Sequence, residues 1–218
     1  GIVNQVDNDP SDGPKMSYGF LYQFGSSTTD SLTDITSTSD GSLLITGKTL
    51  ASWDFTSVVE PFDYGEEIFI TKFNPTTQTI EWVSYIGSGP GAGKDYSQAL
   101  ATDTQGNIFV SGSVGGNLSH LGAISNEGLG FVAKLNPDGE LQWITKEGAN
   151  QKSTYVNGLA VDANDFVYAG MHTDSIAVNE VEQVGDRDIY IVKYDNDGNT
   201  VWTRSIGGLG RESIRSLK

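Results

Sequence analysis

Short apolar runs ended by turn residues recur along this chain with a long period. IFITKF, GFVAKL and IYIVKY (68–73, 130–135 and 189–194) are rich in β-branched and aromatic residues, and each holds a lysine next to its last position. Runs of this length, with this composition and this punctuation, predict strands. Each is followed by a turn (PTTQ, PDGE or NDGN) and a second run that carries tryptophan and ends at glycine. The resulting series are Lys72–Trp82–Gly87, Lys134–Trp143–Gly148 and Lys193–Trp202–Gly207. Upstream of each lie two further strand-like runs around a turn, SLTDITSTSDGSLLITG, YSQALATDTQGNIFVSG and YVNGLAVDANDFVYAG, ending at Gly47, Gly112 and Gly170. No segment keeps a helical apolar period over ten residues, so almost no helix is expected.

Four antiparallel strands per roughly 60 residues describe the blade of a β-propeller. The expected fold is all-β: a propeller segment of about three four-stranded blades, at about 30–87, 95–148 and 154–207. Residues 1–17 read as an acidic leader and 18–218 as the partial propeller. In YGFLYQFG, Phe20 stands five residues before Gly25, the spacing of the tryptophan strands, so 18–24 is expected as an orphan N-terminal outer strand. GLGRESIRSLK aligns with the first strand of a further blade. Three blades cannot close a ring of the usual four to eight. Additional blades are therefore expected from a longer chain or from self-assembly with other chains.

Charge narrows the partners. With 13 Lys and Arg against 28 Asp and Glu, the formal net charge is −15, and no Lys/Arg cluster interrupts it. Nucleic acid is disfavoured on that balance. No apolar run approaches the ~18 residues of a membrane span, so membrane insertion is not expected. Cysteine is absent, which removes disulfides, thiolate metal sites and a cysteine nucleophile together.

The complete unit resembles the SBBP family of β-propeller repeats found in bacterial surface and secreted proteins. The resemblance rests on GKTLASWDF (47–55), ATDTQGNIFVSG (101–112) and DRDIYIVKYDNDGNTVWTRSIGGLG (186–210). It covers roughly residues 18–218, with two departures: Asn164-Asp165 stands where a turn glycine is expected, and only the third tryptophan run ends in Gly-Gly. The resemblance implies a secreted or cell-surface bacterial setting and no shared catalytic activity.

Few residues point to chemistry. Because Trp82, Trp143 and Trp202 recur at one place in the unit, they are expected to fill the space between blades. Lys72, Lys134 and Lys193 are expected to form structural ion pairs, with Asp103 or Asp162 as partners. Asp195, Asp197 and Asn199 resemble the start of a calcium loop, but Ile206 occupies the position of the closing glutamate, and an Asp-Gly turn explains the same residues. Asp7, Asp9 and Asp12 form a second candidate calcium cluster in the leader. His120 and His172 lack a zinc-like context. GSGPGAGK (87–94) fails as a phosphate loop, because Asp95 follows the lysine and no helix is predicted.

The insertion at 48–66 gathers Trp53, Asp54, Phe55, Phe62 and Tyr64 with Asp63, Glu66 and Glu67. An acidic, aromatic loop on a propeller face is the expected contact for a protein or glycan partner. The expected function is thus a non-enzymatic binding or adhesion module, with calcium as an optional stiffener of loops. A building block of a multi-chain extracellular assembly is the alternative. A carbohydrate-active or quinone-type enzyme propeller is disfavoured, because the candidate chemistry is periodic rather than gathered around one channel.

Overall fold

The computed structural model describes residues 23–53, 57–62, 65–89, 93–116, 118, 121–122, 129–148, 153–174 and 177–217. The fold is all-β. The first sheet is a meander of β1 (Asp30–Ser37), β2 (Leu43–Thr49), β3 (Glu67–Asn74) and β4 (Thr79–Ile86). The second repeats it with β5 (Tyr96–Thr102), β6 (Ile108–Ser113), β7 (Gly130–Leu135) and β8 (Leu141–Glu147). The third uses β9 (Thr154–Val161), β10 (Val167–Thr173), β13 (Asp188–Tyr194) and β14 (Thr200–Ile206). A small hairpin, β11 (Ala177–Val178) and β12 (Val181–Glu182), is inserted before β13. The first strands are neighbours, β5 lying beside both β1 and β9. These are three blades of a β-propeller, and they do not close on themselves.

Alternation along each strand gives the first and second sheets two buried faces each. Leu44, Ile70, Trp82 and Ile86 of the first sheet pack on Val110, Phe131, Leu135 and Ile144 of the second. Phe109, Val132 and Trp143, on the opposite face of the second sheet, pack on Val167, Met171, Tyr190 and Tyr194 of the third. Each such side chain contributes about 1.5–3 kcal/mol by leaving water, so stacking of blades is the main stabilising term.

The turn between first and second strands sets the register. In all three blades the backbone N–H of its fourth residue donates to the carbonyl of its first: Gly41 to Thr38, Gly106 to Asp103 and Asp165 to Asp162. Gly41 and Gly106 have φ of 84° and Asp165 has φ of 62°, so Asp165 occupies the left-handed position that glycine takes elsewhere. Counting onward from it, the third blade lies one residue out from the alignment that its glycine suggests. Gly47 pairs with Phe69 and Gly112 with Phe131, but the equivalent partner of Tyr190 is Met171. The expectation that Gly170 matches Gly47 and Gly112 is therefore corrected.

The strand expected at 18–24 lies mostly outside the described residues. Of 18–24, only Gln23 and Phe24 are described; they form no strand, and Phe24 packs against Trp53 with ring centroids 5.4 Å apart. Residues 212–217 form no ladder, although the segment takes the place of a first strand. Arg211 bridges to Arg187, the Ile214 carbonyl accepts from Asn157 Nδ2 at 2.9 Å, and Leu217 lies against Gly158. A first strand becomes a ladder only when a second strand pairs with it, and no second strand follows among the described residues.

Candidate functional site

The repeated lysine and tryptophan are direct cross-strand partners, Lys72 with Trp82, Lys134 with Trp143 and Lys193 with Trp202. In each blade the same row continues inward, to Leu44, Phe109 and Tyr168 respectively. This row looks toward the following blade, and the turn between that blade's third and fourth strands comes up against it. Trp82 Nε1 donates to the Pro137 carbonyl at 3.2 Å, and Ser84 Oγ donates to the Gly139 carbonyl at 2.6 Å. Trp143 Nε1 donates to the Asn196 carbonyl at 3.0 Å, and Lys134 Nζ reaches the carbonyl and side-chain oxygens of Asn196. Both indoles lie over the turn glycine. A Cβ on Gly139 would stand 2.7 Å from Trp82, and one on Gly198 would stand 2.8 Å from Trp143. With φ of 87° and 84° as well, these two positions require glycine twice over.

The third row has no following blade among the described residues. Trp202 is only partly buried, lies edge-on to Tyr168 at 5.9 Å, and has the Arg204 guanidinium 5.7 Å from its ring centre. Its indole N–H meets no acceptor among the described residues, and Ile206 on the same face is 54% exposed. Lys193 is held within its own blade. Its ammonium donates to Tyr168 Oη at 2.7 Å, lies 3.5 Å from Asp162 and sits over the Phe166 ring. The tail covers the inner part of this face, where Ile214 lies beside Gly170. Arg187 grips Asp174 with two bonds of 2.9 Å, and Arg211 joins them at 3.2 Å. All four arginines of the chain, Arg187, Arg204, Arg211 and Arg215, belong to this blade and its tail.

The SBBP beta-propeller repeat model matches residues 81–118 and 142–175. These two segments are similar to the SBBP β-propeller repeat. Each match starts on the tryptophan strand of one sheet and ends beyond the second strand of the next. The sequence unit therefore straddles an interface and contains parts of both of its sides. No curated protein matches the chain.

The residues expected to touch a ligand are placed differently from one another. Trp53 is 2% exposed, packs on Phe69 at 4.4 Å between centroids, and donates from Nε1 to Asp30 at 3.1 Å. Phe62 stands edge-on to Tyr85 at 5.4 Å. Residues 57–60 of the same insertion run along the outer edge of β4, with a parallel bridge from Val58 to Val83. Trp53, Phe62 and Phe24 thus cover the face of the first sheet formed by Ile45, Phe69, Phe73 and Tyr85. Asp54, Phe55 and Tyr64 lie outside the described residues, as do Asp7, Asp9, Asp12 and His120.

At the candidate calcium turn, Asp195 accepts from the Asp197 and Asn199 backbone N–H and from Asn199 Nδ2 at 2.8–3.0 Å. Some burial opposes it, yet those bonds hold the Asp195 carboxyl below its ordinary range. Among the described residues, no group of three His, Cys, Asp or Glu could hold a metal ion. The same turn seats Trp143, through the Asn196 carbonyl and Gly198. Of the expected lysine partners, Asp162 meets Lys193, while Asp103 accepts from Gln105 and Asn107 of its own turn. Lys72 is paired with Asp40 and Glu81 at 2.9 and 3.2 Å. Sequence reasoning placed the tryptophans but missed Tyr168, Arg204 and Ile206 as their companions.

Proposed function

We propose that this chain is a non-enzymatic β-propeller module that binds a protein partner through the open face of its third blade. The secreted or cell-surface setting is the one that the resemblance implies. One observation carries the reading: among the described residues, the Lys–Trp row is covered by a neighbouring turn in the first two blades and not in the third. A partly apolar sheet face bearing Trp, Tyr, Ile and Arg has the composition of a protein interface core. Of the aromatic residues expected to contact a glycan, Trp53 is inside the first blade. Binding rather than catalysis is favoured because the buried acids Glu67, Asp95, Glu147 and Asp188 are spread through the packing of separate sheets instead of lining one cleft.

The test is binding of the labelled full chain to surface fractions of the cells that make it. The paired change Trp202→Glu with Ile206→Glu is expected to weaken binding at least tenfold, and Leu50→Glu on the first blade to leave it unchanged. Binding that survives the paired change and is lost with Leu50→Glu would overturn the reading and move the contact to the 48–66 insertion.

A further inference from the structure

We propose that the seam between the second and third blades holds a binding site for a small organic carboxylate with a short apolar body. The site is a cavity of about 150 Å³ beside the starts of β5 and β9. It lies between two described blades, on residues that the reading above does not use.

Matching rows across the sheets show why space remains there. One row of the first blade runs Ser31–Lys48–Ile68–Ile86, and the same row of the second runs Tyr96–Ser113–Gly130–Glu147. At the first seam Lys48 reaches across to the next blade. Its ammonium lies 4.7 Å from the Tyr96 ring centre and pairs with Glu66. At the second seam Ser113 stands in place of Lys48, and Gly130 in place of Ile68. The residues entering β7, Gly128 and Leu129, replace Glu66 and Glu67, so the acid is missing as well. Tyr155, paired with His172 as Tyr96 is with Ser113, is the ring that a long side chain would have met. The cavity is the space of a deleted ion pair, lined by Ser113 on one blade and Tyr155 on the other.

The lining selects the ligand. Val114, Leu129, Tyr96 and Tyr155 make the wall largely apolar, and Lys94 is the one charged side chain among the described lining residues. Lys94 is loosely held: its side chain is 68% exposed, and its ammonium is 3.9 Å from Glu66, which Lys48 already engages. Ser113 is only 7% exposed, yet its hydroxyl meets no partner among the described residues. Buried polar groups are ordinarily hydrogen-bonded, so this hydroxyl has a bond to give. One cation and one unpartnered hydroxyl on an apolar cavity match one carboxylate, with its body against Leu129 and Tyr155. A dianion would leave half its charge uncompensated. An ammonium would meet Lys94 with no acid opposite, because the oxygens of neighbouring Asp95 are taken by Ser88 and the Gly115 N–H at 2.7–2.8 Å. The chain's net charge of −15 is screened beyond about 8 Å at physiological salt, so it does not govern this contact.

Pockets for drug-sized ligands begin at about 300 Å³, twice this volume, so the ligand is small and its affinity modest. The experiment titrates the nitrogen-15-labelled full chain with isovalerate at physiological salt and follows the amide shifts. Isovaleramide, the uncharged isostere, is the control. Isovalerate is expected to shift the amides of Gly115, Ser153 and Tyr155 with a Kd of about 1 mM, and isovaleramide to bind at least fivefold more weakly. Lys94→Gln should remove that difference, and Ser113→Ala should weaken isovalerate at least threefold. Ser113→Lys, which places the first seam's side chain in the second, should abolish binding.

Equal affinity for isovalerate and isovaleramide, or a preference that survives Lys94→Gln, overturns the proposal. So do shifts that appear only elsewhere in the chain, or none at all. Inorganic phosphate that displaces isovalerate at equal concentration would mean a rim that takes any anion, and overturns it too. If Ser113→Lys does not fold, the exposed Lys94→Gln and the truncation Ser113→Ala carry the test alone. N-acetyl-alanylvaline, which ends in a carboxylate on a branched apolar body, distinguishes the sources. Tighter binding than isovalerate assigns the site to a chain terminus and weaker binding to a free acid, and either order supports the site.

Discussion

The two interfaces between blades are built on one plan and filled with different chemistry. Where Ile86 of the first blade meets Phe131 and Leu135 of the second, the contact is apolar throughout. At the equivalent places in the next interface stand Glu147, Tyr190 and Tyr194. Glu147 is 3% exposed, and Asn179 Nδ2 donates to its carboxyl at 3.4 Å. Burial pushes its carboxyl up to about 7, against weaker opposition from Tyr194 and Asn179. Burial also raises both tyrosines, Tyr190 to about 12. The Trp–turn contact at the outer end is the same in both interfaces, so that contact, rather than the deep packing, defines how blades are seated. The deep packing is free to change from dry to polar at a cost in stability.

The largest effect expected from this comparison separates a covered tryptophan from the open one. Trp143→Ala removes a buried ring and the bond to the Asn196 carbonyl, and should cost about 3–5 kcal/mol. Gly198→Val, which drives a side chain into the same indole at a left-handed position, should cost about as much. Trp202→Ala, on the uncovered face, should cost less than about 1.5 kcal/mol. Chemical denaturation of the full chain measures all three. Similar losses for Trp143→Ala and Trp202→Ala would mean that the third face is covered after all.

Next comes the buried acid. Its pKa is raised from 4.5 unfolded to about 7 folded, so the folded state holds the proton more tightly. That contribution to stability is fully present below pH 4.5, falls as pH rises from 4.5 to 7, and is gone above. The change is at most on the order of 3 kcal/mol. Glu147→Gln keeps the shape without the ionisation, so it should be the more stable protein at pH 8 and nearly equal to the parent at pH 5. Below about pH 4 both should weaken, because Asp174 and Asp195 are held below their ordinary range and lose their bonds on protonation. Urea midpoints across pH 4–8 test this, and parallel curves for the two proteins would refute it.

Much of the fold was legible because its signals are local and repeated three times. Lysine, turn, tryptophan and glycine at fixed spacing mark the third and fourth strands of every blade, and Trp82 and Trp143 do fill the spaces between blades. What a row of residues faces was harder to read, since the Trp82 seat lies 55 residues further on at Pro137. The Asp195 turn was chemically ambiguous for the same reason: a hairpin that receives an indole and a loop that begins a calcium site use the same residues. Trp53 was ambiguous too, because an insertion that caps a sheet face and one that displays an aromatic residue have the same composition. Glu147 gave no signal at all. A glutamate at the end of a strand is ordinarily solvated, and only the following sheet buries it.

The register of the third blade makes a comparison of medium size. Gly112 stands where a Cβ would lie 1.9 Å from the Tyr96 carbonyl oxygen, while its counterpart Met171 carries a full side chain into the core. Gly112→Ala should therefore cost about 2–3 kcal/mol through backbone displacement. Gly170→Ala should cost less, because its Cβ would meet the movable tip of Ile214 at 2.7 Å. Reversal of that order, read from thermal midpoints, would restore Gly170 as the true counterpart.

The smallest effect concerns the residue that sets this register. Asp165 is held at a left-handed φ of 62°, where glycine is relaxed and aspartate is not. Its carboxylate also accepts from the Thr104 backbone N–H at 3.0 Å and Thr104 Oγ at 2.9 Å, tying the third blade to the second. Asp165→Gly should relieve about 1 kcal/mol of backbone strain. It should also lose an exposed pair of bonds of similar size, so the net change should stay within about 0.5 kcal/mol. Asp165→Asn, which tolerates the same φ and keeps an acceptor, should be neutral within the same range. The informative variant is Asp165→Gly combined with Thr104→Val, which removes the tie from both sides. If it is more stable than Thr104→Val alone by about the strain term, the aspartate is kept at this position for its bond across the interface rather than for the turn. If the two are equal, the bond from the Thr104 backbone N–H, which Thr104→Val leaves in place, offsets the strain.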